Sequence, residues 1–183
     1  MNTTRLDEVL DATYDCLVRF GVKRTTMDDI AQAAGMSRSA VYQYVRNKDD
    51  AVRRLAVRLH DAATERAVAA AAADLPTAQR VHDVLRAKLD LVLALAGDSP
   101  HTAELLDAKA RLYGDVCTTF THRVTDLLVD LLTEAGAGGL APADAAQILV
   151  ALVVGMEADP NASRLLGPAV DLLLSGLPAA GGS

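Results

Sequence analysis

Arg38, Ser39, Tyr42 and Gln43 fall within one short run, Ser37-Arg38-Ser39-Ala40-Val41-Tyr42-Gln43-Tyr44, and every one of them carries a hydrogen-bonding side chain. A guanidinium can pair with O6 and N7 of guanine and an amide with N6 and N7 of adenine, each pair giving about 1–3 kcal/mol of discrimination between bases. A DNA major groove about 12 Å wide accepts a helix whose exposed face is not bulky and apolar. This run meets that demand, because Ala40 keeps it slim and Val41 anchors it from the inner side. Rival chemistry is poorly supported. No Ser-His-Asp, zinc or phosphate-loop motif is present, and the four histidines lie at no paired metal-ligand spacing. The expectation is a protein that is not an enzyme, with no catalytic residue, no metal and no cofactor.

The elements that must hold this run are legible around it. Leu6, Val9, Leu10, Thr13, Leu17 and Phe20 recur at three- and four-residue steps, which predicts a helix over 4–20 closed by Gly21. Thr26 followed by Met27-Asp28-Asp29 reads as a capping box that opens a short second helix, with Ile30, Ala31 and Ala34 inward and Gly35 as its stop. After the tight Gly35-Met36 turn, Ser37 caps a third helix that ends near Asn47, and Lys48-Asp49-Asp50 opens a long fourth. Two helices joined by a short Gly-containing turn and preceded by a third make the helix-turn-helix unit in which the second of the pair enters the groove.

Val9, Ala12, Leu17 and Gly21, then Thr26, Ile30-Ala31, Ala34-Gly35, Ser37, Tyr42 and Lys48, follow in order and without gaps over the first 50 residues or so. In this the chain resembles the TetR family of repressors. It departs from the family pattern at Tyr44, where His is common, and at Val45, where Phe is common; both bear on which operator is read. The resemblance implies a role for each matching position. Thr26, Tyr42 and Lys48 become phosphate contacts, together with Ser37, and Arg38, Ser39 and Gln43 become readers of base edges. Tyr44 is open between a base reader, a backbone contact and a core edge. Arg53, Arg54 and Arg58 fit a solvated face of the fourth helix.

Beyond residue 60 the resemblance rests on layout. Pro76 suits the first turn of a helix to about residue 96; 101–135 is helical with a break near Gly114; Pro142 and Asp159-Pro160-Asn161 frame helices over 143–157 and 162–174. The loop Gly97-Asp98-Ser99-Pro100 and the link Gly136-Ala137-Gly138-Gly139 separate them, and the fold class is all-α with about nine helices. The stretch from Ala145 to Met156 is apolar nearly all round and must be buried on more than one side. Family layout makes it half of a four-helix dimer interface, drawn from Ile148, Leu149, Leu152, Gly155, Leu165, Leu166, Val170 and Leu173; a monomer core is the alternative. The same layout implies a small-molecule pocket lined by Leu89, Leu93, Leu106, Tyr113, Cys117, Phe120 and Met156, with His82, His101, His122, Arg111 and Glu157 as further polar candidates.

Composition sets the outer bounds. The chain has 183 residues, half of them apolar and only 3% aromatic, which favours helices over sheet. Its net charge is −6, yet Arg19–Arg58 holds nine basic residues against four acidic ones, a polyanion-facing end on an acidic body. Cys16 and Cys117 sit among apolar neighbours, as reduced thiols do. The polar N-terminus and the lack of a long apolar run point to a cytoplasmic protein without a membrane partner. The domains expected are a helix-turn-helix over 1–47, an effector-binding and dimerising body over 48–177, and a disordered tail over 178–183. The partners expected are double-stranded DNA, a second copy and a small-molecule effector of unspecified identity. The function class is thus an effector-released repressor on a palindromic operator; an activator, or a regulator that needs no effector, is the alternative.

Overall fold

The computed structural model describes residues 4–96, 101, 104, 108–136, 139–157 and 159–176. Eight α-helices and one π-helical turn are present among them, with no strand. They are α1 (Arg5–Arg24), α2 (Met27–Ala33), α3 (Arg38–Val41), α4 (Lys48–Ala71), α5 (Thr77–Ala96), the π turn (Lys109–Tyr113), α6 (Gly114–Glu134), α7 (Pro142–Met156) and α8 (Ala162–Ser175). The all-α expectation holds. Leu106, the 97–100 loop, Ala137-Gly138 and the 178–183 tail lie outside the described residues, as does most of the helix expected before Gly114.

The chain divides into two compact units, Met1–His60 with Leu95–Cys117 and Asp61–Ala94 with Thr118–Ser183. In the first, a core of Val9, Ala12, Cys16, Met27, Ile30, Ala31, Val41, Val45 and Ala51 ties α1, α2 and α3 to the start of α4. A second cluster sets Leu10, Leu17, Val22, Val52, Leu55 and Ala56 against Ala108 and Tyr113. In the second unit the buried side chains include Val81, Val84, Leu85 and Leu89 of α5, Val124, Leu128, Leu131 and Leu132 of α6, Leu149 and Val153 of α7, and Leu166 and Val170 of α8.

Local chemistry explains several helix ends. Gly21 takes φ +77 inside α1, so the helix kinks there and then resumes for one short turn to Arg24. The Thr25 hydroxyl lies 2.7 Å from the Gly21 carbonyl and 3.1 Å from that of Cys16, satisfying acceptors that the kink frees. A side chain at position 21 is doubly disfavoured, because its Cβ would lie 2.6 Å from Glu104 Oε2 and 2.8 Å from the His101 ring. Pro76 precedes α5 instead of occupying its first turn, its carbonyl accepting from the Gln79 and Arg80 amides. Pro168 sits inside α8, where it supplies no amide donor. Among the described residues, no helix is long and apolar enough to cross a membrane.

Candidate nucleic-acid interface

Each turn that presents the 37–44 run is fixed by a short-range hydrogen bond. Thr26 Oγ1 accepts from the Asp29 amide at 3.2 Å while Asp29 Oδ2 accepts from the Thr26 amide at 2.8 Å, a complete capping box for α2. Hydrogen bonds from Thr26, the side chain first and the backbone second, hold the Asp29 carboxyl below the usual carboxylate range. Thr26→Ala is expected to lower stability by about 1 kcal/mol, read as a drop in the urea midpoint with unchanged slope.

The second helix, α2, ends with Gly35 at φ +63, its amide bonded to the Gln32 carbonyl and the Met36 amide to that of Ala31. These two bonds form a Schellman closure, and they turn the chain sharply into α3. Ser37 Oγ then accepts from the Ala40 amide at 3.2 Å as the α3 cap. Regular α-helix lasts only from Arg38 to Val41. The Gln43 and Tyr44 amides bond three residues back, to Ala40 and Val41, so the winding tightens where the sequence suggested a helix to about Asn47. Val41 and Val45 are fully buried below this turn, while Arg38, Ser39, Tyr42 and Gln43 are exposed above it.

The exposed face is partly pre-ordered. Arg38 Nη1 donates to Asp28 Oδ2 at 3.0 Å, and its guanidinium lies 5.7 Å from the centre of the Tyr42 ring. The Tyr42 hydroxyl, then the Asp28 charge, hold that guanidinium still more firmly protonated. Ser37 and Ser39 share a hydroxyl–hydroxyl bond of 3.0 Å. Tyr44 is half-buried and packs against the core beside Phe20, Ala34 and Met36. Lys48 Nζ donates to the carbonyl of Val22 at 2.7 Å and to that of Lys23 at 3.3 Å, placing a cation on the last carbonyls of α1.

The three α4 arginines expected to form a solvated face are all engaged. Arg54 Nε donates to Asp50 Oδ2 at 3.1 Å, and Arg58 Nη2 donates to Asp11 Oδ1 at 2.7 Å. Arg53 donates to both oxygens of Asp115, at 2.8 and 2.6 Å, and to the Leu112 carbonyl at 2.6 Å. Arg111 reaches back to Asp49 at 2.7 Å, so two pairs of opposite polarity join the start of α4 to the π turn and the first residues of α6. The Arg53 hydrogen bond pulls the Asp115 carboxyl down to about 2. A depressed carboxyl stabilises the fold fully above its unfolded value of about 4 and loses that contribution as pH falls toward 2. The stability difference between wild type and Asp115→Asn is therefore expected to be constant above about pH 5, to shrink as pH falls from there, and to vanish only below about pH 2, as followed by acid-dependent urea unfolding.

Three features of the described residues were not anticipated. Asn47 Oδ1 accepts from the Asp50 amide at 2.8 Å, capping α4, and the Asn-Lys-Asp-Asp spacing carried that signal. Burial works against ionisation of Asp50, yet the Arg46 amide, the Arg46 guanidinium and Arg54 together hold its carboxyl below the usual range. In the second unit Lys88 is 6% exposed, 3.4 Å from Glu157 Oε1 and 5.9 Å from the Phe120 ring centre, a burial that its place between Arg86 and Asp90 in the sequence does not announce.

The residues expected to line a pocket are divided between the units. Tyr113 and Cys117 lie with the α1/α4 cluster of the first. Leu89 and Phe120 are buried in the second, where Leu93 and Met156 are half-buried. Of the expected dimer residues, Leu149, Leu166 and Val170 are buried inside their own unit; Leu152, Leu165 and Leu173 are half-buried; Ile148 and Gly155 are exposed. A groove of about 240 Å³ opens beside Ile148, lined by Leu140, Ala145, Leu172, Leu173 and Leu174 among others. Leu172 is 74% exposed, and neither it nor the exposed Val154 was singled out by the sequence.

Residues 9–55 match the family model described as bacterial regulatory proteins, tetR family, a stretch that takes in α1, α2, α3 and the start of α4. The HTH-type transcriptional regulator TtgR of Pseudomonas putida is 37% identical over 54 residues, which is 30% of this chain and 26% of that protein. The match thus spans about a quarter of that relative's length. Across the whole chain the likeness is one of fold. SmeT, the repressor of the Stenotrophomonas maltophilia multidrug efflux pump SmeDEF, superposes with a TM-score of 0.67 at 23% identity, covering 99% of this chain and 96% of its own. AibR, solved in complex with isovaleryl coenzyme A and operator DNA, gives 0.65 at 18% identity over 93% and 98%.

Proposed function

We propose that the protein is a homodimeric, sequence-specific transcriptional repressor that leaves a palindromic operator when a small molecule binds its helical body. The observation that carries this reading is the short capped helix α3, anchored by Val41 and Val45 and showing only hydrogen-bonding side chains outward. Arg38, Ser39 and Gln43 read base edges. Tyr42 gives its hydroxyl to a phosphate, and Thr26 and Ser37 add backbone contacts beside the caps they already form. Lys48 has a donor left after its two carbonyl bonds, and it contributes a positive charge at the same strand. The half-buried ring of Tyr44 suits a core edge whose hydroxyl touches the backbone.

One recognition helix touches only a few base pairs, and two set about one DNA turn apart multiply specificity. The second copy docks on α7 and α8 through Ile148, Leu152, Gly155, Leu165 and Leu173, joined by Val154 and Leu172. Leu149, Leu166 and Val170 support that face from within, because their side chains are already enclosed. An effector bound after residue 60 acts by linkage, lowering DNA affinity only as far as it prefers an arrangement with mis-spaced readers. That a protein of the same fold is seen with operator DNA and isovaleryl coenzyme A shows such a fold holding both kinds of partner. Genomic footprinting tests the reading. Protected sites should be inverted repeats with half-sites about one turn apart; protection spread evenly over the genome would contradict it, and the genes beside the sites would point to the effector.

A further inference from the structure

The described histidines and cysteines include one pair whose geometry is that of an activated nucleophile. His60 lies on α4, 4% exposed, with Nδ1 2.7 Å from the Ala56 carbonyl. A carbonyl only accepts, so Nδ1 bears the proton and donates it, and Nε2 of the neutral ring is left as the acceptor. Cys117 Sγ lies 3.2 Å from that Nε2. A thiol, a base within reach of it and a third group fixing the base is the arrangement that activates a cysteine. The Tyr113 ring meets the imidazole edge-on at 6.3 Å. Burial first, and the Cys117 charge second, push the Tyr113 hydroxyl up to about 12, so it stays protonated and does not compete as a base.

Cys16 supplies the contrast. It is buried in the helix-turn-helix core, where desolvation first and the Asp29 and Asp15 charges next raise its thiol above the ordinary value. Cys117 is half-buried instead, beside the half-buried apolar Leu59, Leu112 and Val116. Those neighbours favour an uncharged organic reagent.

We propose that Cys117 and His60 form a covalent modification site for uncharged α,β-unsaturated carbonyl compounds. His60 Nε2 takes the thiol proton, and the sulfur lone pair forms a C–S bond to the β-carbon. The carbon–carbon π pair shifts to give an enolate, and the imidazolium returns the proton to the α-carbon. The products are a thioether and a neutral imidazole, with no oxidant consumed. An adduct on Sγ cannot keep its 3.2 Å contact, so His60 and the α4 face that also carries Asp49 and Arg53 must shift. Its consequence for DNA rests on the repressor reading above.

The test uses N-ethylmaleimide on the full chain at pH 7, with adducts located by mass spectrometry. An ordinary thiol is only a few per cent thiolate at that pH, and the gain from proton transfer is partly offset by lower nucleophilicity. Cys117 should therefore react about threefold or more faster in the folded protein than in urea, and Cys16 at least about 100-fold slower than in urea. His60→Asn should slow Cys117 about tenfold if circular dichroism shows it folded; if it is unfolded, the comparison of folded and urea-unfolded wild type decides. Slower reaction of Cys117 in the folded state, or an unchanged rate in a folded His60→Asn variant, overturns the site. Alkylated wild type should bind duplex DNA about tenfold more weakly, with Cys117→Ser indifferent to the reagent. Equal affinity before and after alkylation overturns the regulatory consequence, whereas unmodified protein that ignores DNA fails the repressor reading and leaves the alkylation rates to decide the site.

Discussion

Ile30→Ala is expected to destabilise the first unit by about 2–5 kcal/mol and to abolish DNA binding with it. Ile30 is 0% exposed and shares its cluster with Val9, Val41 and Val45, the residues that seat α1 and α3. Truncation removes transfer free energy and leaves a cavity that close-packed neighbours fill only in part. Domains of this kind are stable by about 5–15 kcal/mol in all, so the loss is a large share. With only four regular residues, α3 cannot hold its shape without that support. Urea unfolding followed by circular dichroism checks the value, with Leu75→Ala, at an exposed position, as a control expected within about 0.5 kcal/mol of wild type. A loss below about 1 kcal/mol for Ile30→Ala would mean that the buried cluster does not seat the reader.

The second large effect separates two classes of contact. Arg38→Ala should cost about 1–3 kcal/mol at each half-site, roughly 5- to 150-fold in affinity per half-site, and should relax preference at one base position. Gln43→Ala should do the same at a neighbouring position. Tyr42→Phe should instead weaken binding evenly across sequences, and Lys48→Ala should also lower the salt slope by about 1. Arg38 begins with its guanidinium on Asp28, so that exchange of carboxylate for guanine is already contained in the measured cost. Lys48→Ala also strips the Val22 and Lys23 carbonyls of a donor, which makes Tyr42→Phe the cleaner probe of a phosphate contact. Gel-shift titrations over a set of single-base operator variants separate the two patterns. If all four variants weakened every sequence alike, Arg38 and Gln43 would not be base readers.

What was legible from the sequence lies within a few residues of itself. The Thr26 and Ser37 caps, the Gly35 stop and the inward Val41 are set by backbone rules over three or four positions, and the structure carries each of them. The ion pairs and the thiol–imidazole contact depend on which helix faces meet. Lys48 finds its carbonyl 26 residues away, His60 its thiol 57 away, Arg53 its carboxylate 62 away, and Lys88 its partner 69 away. Periodicity marks a face as apolar without saying which face it will oppose. It therefore marks Arg53, Arg54 and Arg58 as a solvated face without naming their carboxylate partners, and it assigns Leu149, Leu166 and Val170 to a dimer face without showing that they are already enclosed in their own unit.

The central claim concerns one small helix lying against base edges, and titration of a labelled duplex by fluorescence anisotropy over a range of salt reaches it most directly. Binding should be tight at low salt, and the logarithm of the association constant should fall in a straight line with the logarithm of salt concentration. At about 0.15 M salt, a duplex carrying the footprinted inverted repeat should be held at least about 1000-fold more tightly than a scrambled one. A protein that leaves duplex DNA unbound at low salt, or holds both duplexes equally, would contradict it.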